Sequence, residues 1–213
     1  MLDPGFFVAV FVGVFLVTDP FANIPIFEGF LSKMKPEEKR KAIEKSYLVG
    51  FLAFFVFSFF GPALFGYLGI ELFSFKIAGG LLLLVISGEM LLGFKTRTEL
   101  SPSEQEAAEE KENLAFTPLG IPLITGPGAI ITGIVFFART TGTIEMAQFV
   151  AAAVLAFVAG LWLMLQSDRL NKLWGPLGMK LATRIMGLLL MSLAVQLMIN
   201  GLFESGLVAA KIL

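Results

Sequence analysis

Asp19 stands in the middle of a long apolar run, in Thr18-Asp19-Pro20-Phe21-Ala22-Asn23-Ile24-Pro25. A carboxylate at the centre of a bilayer costs roughly 2.5–3.5 kcal/mol on insertion scales, so an acid kept there faces the protein interior and has a task. The prolines tell what surrounds it. Pro20 and Pro25 each lack an N–H and push away the carbonyl four residues back. Lipid offers those carbonyls no partner, so they must face protein or a wet cavity. Asp19-Pro20 also reads as a helix cap followed by a first-turn proline.

A related stretch returns in the second half as Thr117-Pro118-Leu119-Gly120-Ile121-Pro122, followed by Thr125-Gly126-Pro127-Gly128. Thr117-Pro118 and Gly126-Pro127 read as further helix starts. Each half-helix would present free N–H groups and a positive dipole end, which suit a carboxylate. The facing free carbonyls suit an ammonium group or a cation. A zwitterionic amino acid carries both. Gly120, Gly126 and Gly128 allow close backbone approach, which favours a small ligand. The candidate substrate contacts are therefore Thr18, Asp19, Ala22, Asn23, Thr117, Gly120, Thr125, Gly126 and Gly128. The helix-breaking residues are Pro20, Pro25, Pro118, Pro122 and Pro127. The competing reading is a pair of proline-kinked packing helices.

Glu89 is the second candidate acid. It lies thirteen residues beyond Lys76, taken as the outer end of its span, which places it near mid-depth. A carboxylate that gains and loses a proton there could couple transport to a gradient, as could Asp19. A purely structural hydrogen-bonding role for Glu89 stays open.

The elements that position these residues follow from composition. The chain has 213 residues, 56% of them apolar, well above the ~45–50% of a soluble domain. It has to be an integral membrane protein. Net charge is −1, which points to no nucleic-acid partner. There is no Cys and no His, which removes disulfides, thiol nucleophiles, zinc sites and Ser-His triads. No metal or other cofactor is expected, no ATP motif is present, and an enzymatic role is not expected. The start of the chain lacks the basic region of a cleaved signal, so the first helix is expected to serve as its own insertion signal.

Six apolar runs reach the ~20 residues that span a bilayer: about 6–30, 46–67, 72–94, 114–138, 146–165 and 181–203. A charged hairpin, 33–45, follows the first. Lys and Arg concentrate after spans one, three and five, at positions such as Lys39, Arg40, Lys95, Arg169, Lys180 and Arg184. The other side has only Lys76, Arg139 and Lys211. The charged loops are thus expected in the cytoplasm of a multi-pass plasma-membrane protein, with both termini outside.

The halves match in order. A proline-broken run opens each. Gly61-Pro62 answers Gly175-Pro176, and Gly80-Leu81-Leu82-Leu83 answers Gly187-Leu188-Leu189-Leu190, which pairs Glu89 with Gln196. Three spans per half force the second half to enter from the opposite face. The expected fold is an all-α polytopic membrane protein with six transmembrane helices in two inverted three-helix repeats, helices 1 and 4 being broken at Pro/Gly motifs. The expected divisions are 1–95 for the first repeat, 96–113 for an acidic cytoplasmic loop and 114–213 for the second repeat.

Thr18-Asp19-Pro20-Phe21-Ala22-Asn23-Ile24-Pro25-Ile26-Phe27, together with Pro118-Leu119-Gly120-Ile121-Pro122-Leu123-Ile124-Thr125-Gly126-Pro127-Gly128-Ala129-Ile130, resembles the MarC family. The likeness covers nearly the whole chain. Ala22 departs from it, a glycine being expected there. The resemblance implies uptake of small neutral amino acids such as glycine and alanine, driven by a proton or sodium gradient. A passive channel or exporter of small solutes is the alternative. The oligomeric state is not legible.

Overall fold

The computed structural model describes residues 3–31, 34–93 and 124–208. All regular structure among them is helical: α1 (Pro4–Thr18), α2 (Pro20–Leu31), α3 (Pro36–Leu68), α4 (Leu72–Leu92), α5 (Pro127–Phe137), α6 (Thr143–Leu165) and α7 (Ser167–Glu204). Five stretches are long and apolar enough to cross a membrane: Pro4–Leu31 (α1 and α2 together), Pro36–Leu68, Leu72–Leu92, Thr143–Leu165 and Leu177–Glu204. α5 is a shorter apolar helix. The expected fourth span, 114–138, lies partly outside the described residues. So do Thr117, Pro118, Gly120, Pro122 and the 96–113 loop.

Local chemistry sets the helix ends. The Asp3 carboxylate accepts the N–H groups of Gly5 (2.9 Å) and Phe6 (3.2 Å), and Pro4 follows at the first helical position. The Glu145 carboxylate accepts the N–H groups of Thr141 (2.6 Å) and Gly142 (2.9 Å) at the start of α6. α4 closes on Gly93 in the left-handed region, whose N–H donates to Glu89 O at 2.9 Å.

Two boundaries differ from the sequence expectation. The charged hairpin 33–45 is mostly helix, because α3 starts at Pro36 and runs 33 residues. Positions 169–180, expected in a loop, belong to α7, which breaks its backbone at Gly175 (φ 62, ψ −178). A helix that leaves the bilayer can go on in water as long as its polar residues permit, so hydropathy marks the span and not the helix.

The outside is apolar. Val8, Phe60, Leu64, Val85, Val158, Leu181 and Leu188 are each more than half exposed. The inside is packed through small residues and aromatics. Ala152, Ala153 and Ala156 on α6 are fully buried beside Val10 and Val14 of α1 in one core cluster. Small residues let helix backbones approach closely where no hydrophobic effect drives them together.

The most extensive contact joins antiparallel α4 and α7. A Cβ on Gly80 would stand 2.7 Å from Ala194 O and 3.1 Å from Met198 N. A Cβ on Gly187 would stand 3.2 Å from Ser87 O and 3.3 Å from Leu91 N. Ala194 and Met198 are seven and eleven residues past Gly187. Ser87 and Leu91 are seven and eleven past Gly80. Each glycine therefore receives the equivalent two backbone atoms of the other helix. At one end of this pair Lys76, 4% exposed, meets Glu204 at 2.6 Å.

Candidate functional site

Asp19 is the one non-glycine residue with positive φ among the described residues (φ 38, ψ 67). Such a conformation costs an L-residue roughly 1–2 kcal/mol, and Asp is among the types that tolerate it. Asp19 ends α1, its N–H donating to Phe15 O at 3.3 Å. It also starts α2: its Oδ1 accepts the Ala22 N–H at 3.3 Å, and its carbonyl accepts the Asn23 N–H at 3.2 Å. The cap-plus-proline reading of Asp19-Pro20 is what the backbone adopts.

The freed backbone is partly repaired from within. Ala22 N–H is spent on the Asp19 carboxylate, which leaves Thr18 O without its helical donor. Asn23 Nδ2 donates to that carbonyl at 2.9 Å, inside the protein. Pro20 and Pro25 remove the donors that Leu16 O and Phe21 O would otherwise have used. The C-terminal end of α1 and the N-terminal end of α2 thus meet at one residue, carbonyls on one side and N–H groups on the other. Asp19 is half-buried at this junction.

Of the second break, the described residues start at Ile124 and Thr125, both fully buried. Thr125 Oγ1 donates to Gly50 O on α3 at 2.7 Å. Gly126 caps α5 with extended backbone, its carbonyl accepting from Ala129 (3.0 Å) and Ile130 (3.1 Å), and Pro127 takes the first helical position. Gly128 has a packing cause: a Cβ there would meet Leu83 of α4 at 2.5 Å. The space beside its missing side chain is taken by the Leu83 side chain.

One turn of α3 holds the second break and lies near the first. Gly50 takes the Thr125 hydroxyl. Tyr47, three residues earlier, lies within electrostatic reach of Asp19. The Tyr47 hydroxyl and the Thr132 hydroxyl on α5 are buried and have no hydrogen-bond partner among the described residues. Tyr47 was not singled out from the sequence. Its only signal is a phenol at the very start of the apolar run 46–67, which is indistinguishable from an interface anchor.

The named side chains divide by what they do. The Thr18 hydroxyl donates to Phe15 O at 3.2 Å, and Thr125 and Asn23 also serve backbone carbonyls. Ala22 is half-buried, between Asp19 and the α4–α7 cluster. Glu89 sits in the last turn of α4 and is half-buried. Lys76, from which its depth was counted, lies a full turn inside the same helix and pairs with Glu204. Gln196 is exposed and donates to Asn200 Oδ1 at 2.8 Å.

The charged face closes over the first break. Phe21, two residues past Asp19, stacks on Trp174 at 5.7 Å and 12°. Trp174 directly precedes the Gly175 kink, whose φ/ψ pair is open essentially to glycine alone. The segment before the kink is tied down by charge. Lys39 Nζ donates to Glu28 Oε1 and to Asp168 Oδ1, both at 2.7 Å, and Ser167 Oγ donates to Glu28 Oε1 at 2.8 Å. Hydrogen bonding to Lys39 holds the Asp168 carboxyl below the usual carboxylate range. Among the described residues no cluster of three His, Cys, Asp or Glu could hold a metal ion.

Residues 5–205 match the model of the MarC family integral membrane protein. The UPF0056 membrane protein of Pyrococcus abyssi is 32% identical over 92% of this chain and 94% of its own. That of Archaeoglobus fulgidus is 33% identical over 94% and 93%. That of Aquifex aeolicus is 34% identical over 92% of each chain. No solved structure matches the chain. A family match across nearly the whole length, with such relatives, leaves one assignment: the chain belongs to the MarC family of integral membrane proteins.

Proposed function

We propose that the protein is a secondary active transporter that takes up small neutral amino acids, glycine and alanine first, coupled to a proton or sodium gradient. Its site lies at the midplane, where the break at Asp19 meets the break at Gly126. The observation that carries this reading is Asp19: a carboxylate in a left-handed turn between the carbonyl end of α1 and the N–H end of α2. A zwitterion needs both poles a few ångströms apart, and opposed half-helix ends supply them without mobile charges. No covalent chemistry is required. The site suits a ligand without a bulky side chain, since aromatic and branched residues such as Phe21 and Leu83 already pack around the two breaks.

The same reading takes the chain as two inverted repeats of three spans, with the charged loops in the cytoplasm and both termini outside the plasma membrane. The reciprocal seating of Gly80 and Gly187 supports it, because a two-fold axis in the membrane plane would exchange those contacts. On this account the Phe21–Trp174 stack closes the site toward the cytoplasm, and the Gly175 kink is the pivot that opens it.

Proteoliposome uptake tests the proposal. Vesicles holding the purified protein should concentrate radiolabelled glycine when a proton or sodium gradient is imposed, with saturation and with competition by alanine. Equilibration without accumulation under either gradient would make it a passive channel or exporter.

A further inference from the structure

A cavity of about 580 Å³ opens at the charged end, and Asp19 is not in its lining. Pro25, Met90, Leu92 and Met179 make its apolar wall, and Lys180 and Arg184 make its basic rim. Glu28, the acid in its lining, is spent on Lys39 and Ser167. Lys180 and Arg184 enter no ion pair among the described residues.

The rim sits where lipid and protein meet. Lys180 and Arg184 are four apart on α7 and so share one face. They lie between a buried stripe (Met179, Met186, Leu190) and an exposed apolar stripe (Leu177 81%, Leu181 59%, Leu188 56%). Past the Gly175 kink the membrane-spanning helix runs Leu177–Glu204. The two cations lie ~5–10 Å along it from Leu177 at 1.5 Å per residue, at its charged end. Leu92, on the cavity wall, is 67% exposed.

We infer that this cavity binds an anionic phospholipid, its phosphate on Lys180 and Arg184 and its acyl chains along Leu92 and Leu181. Two unpaired cations over an apolar wall complement an amphiphilic anion. A free inorganic anion would leave the Met90, Leu92 and Met179 surface uncovered. A zwitterionic headgroup brings its own cation against the rim.

The site is independent of transport and is tested on binding alone. The purified full chain in neutral detergent is titrated with phosphatidylglycerol, and the rise in Tm reports affinity. The wild type should gain stability from phosphatidylglycerol and little from phosphatidylcholine. In K180Q/R184Q the apparent affinity should fall about 30-fold, at roughly a fivefold loss per cation. If the double variant does not fold, K180Q and R184Q singly should each show that fivefold loss. Inorganic phosphate and glycerol phosphate at the same concentrations should leave Tm unchanged. Equal stabilisation of wild type and variants would overturn the inference, as would an equal effect of phosphatidylcholine or of phosphate alone, or no effect of phosphatidylglycerol.

Discussion

At the scale of the residue, Asp19 has two separable jobs, a backbone one and a chemical one. The backbone job is to hold a left-handed turn and cap α2 through the Ala22 N–H. Asn does both nearly as well as Asp. Asp19→Asn should therefore keep its Tm, within about 0.5 kcal/mol of wild type, while glycine uptake falls at least about tenfold, the loss of one charge-assisted contact. Asp19→Ala should lose roughly 1–2 kcal/mol, from the missing cap and the strained φ. Thermal melts beside uptake separate the two jobs. If Asp19→Asn transports normally, the carboxylate is structural.

Tyr47 gives the converse case. A buried hydroxyl without a partner costs stability, so Tyr47→Phe should melt at or above the wild-type temperature, by up to about 1 kcal/mol. If that hydroxyl waits for the substrate, uptake should fall in the same protein. A stable and fully active variant would remove Tyr47 from the site. Asp168 sets the pH dependence at the charged face. Its folded value is lowered, so its pairing with Lys39 stabilises the fold above the unfolded value of about 3.9 and is lost as pH falls through the lower folded one. Melting of wild type against Asp168→Asn from pH 7 to pH 3 should show the two converging only at the acid end.

At the scale of the element, the α4–α7 contact and the Gly175 kink carry different loads. Gly80 and Gly187 hold a close crossing with no room for a side chain. Gly187→Val should cost about 1–3 kcal/mol through overpacking, read as a lower Tm. The kink concerns motion. The chain has no Cys, so Ala22→Cys supplies a single thiol beside Asp19. Adding Trp174→Ala should speed its modification from the charged face at least about tenfold if the stack is the closure, a barrier of roughly 1.4 kcal/mol. An unchanged rate would show that the Phe21–Trp174 pair does not close the site.

The breaks were legible because proline removes a donor in a way no tertiary contact can reverse, and Asp19-Pro20 reads as a helix start by itself. Other features depend on partners far along the chain. Lys76 reads as a lone cation at a span end until Glu204, distant in sequence, is placed beside it. The Gly128 motif reads as room for close approach, and the Leu83 side chain that packs against it comes from α4, far along the chain. The aqueous start of α3 was missed because apolar count ends where the membrane ends, while the helix goes on to Pro36.

At the scale of the whole molecule, charge separates the two faces. A single Cys in place of Glu37 should react with an impermeant thiol reagent only after cells are opened. One in place of Ser205 should react in intact cells. The reverse pattern would invert the topology. The larger claim is that the two breaks make one binding site for one small zwitterion. Protection of single thiols tests it most directly, with Ala22→Cys and Gly126→Cys each made in the natural Cys-free chain. Millimolar glycine should slow modification at both positions with the same half-saturating concentration, while leucine protects neither. Protection at one position only, or at neither while the protein still melts as wild type does, would contradict a shared site.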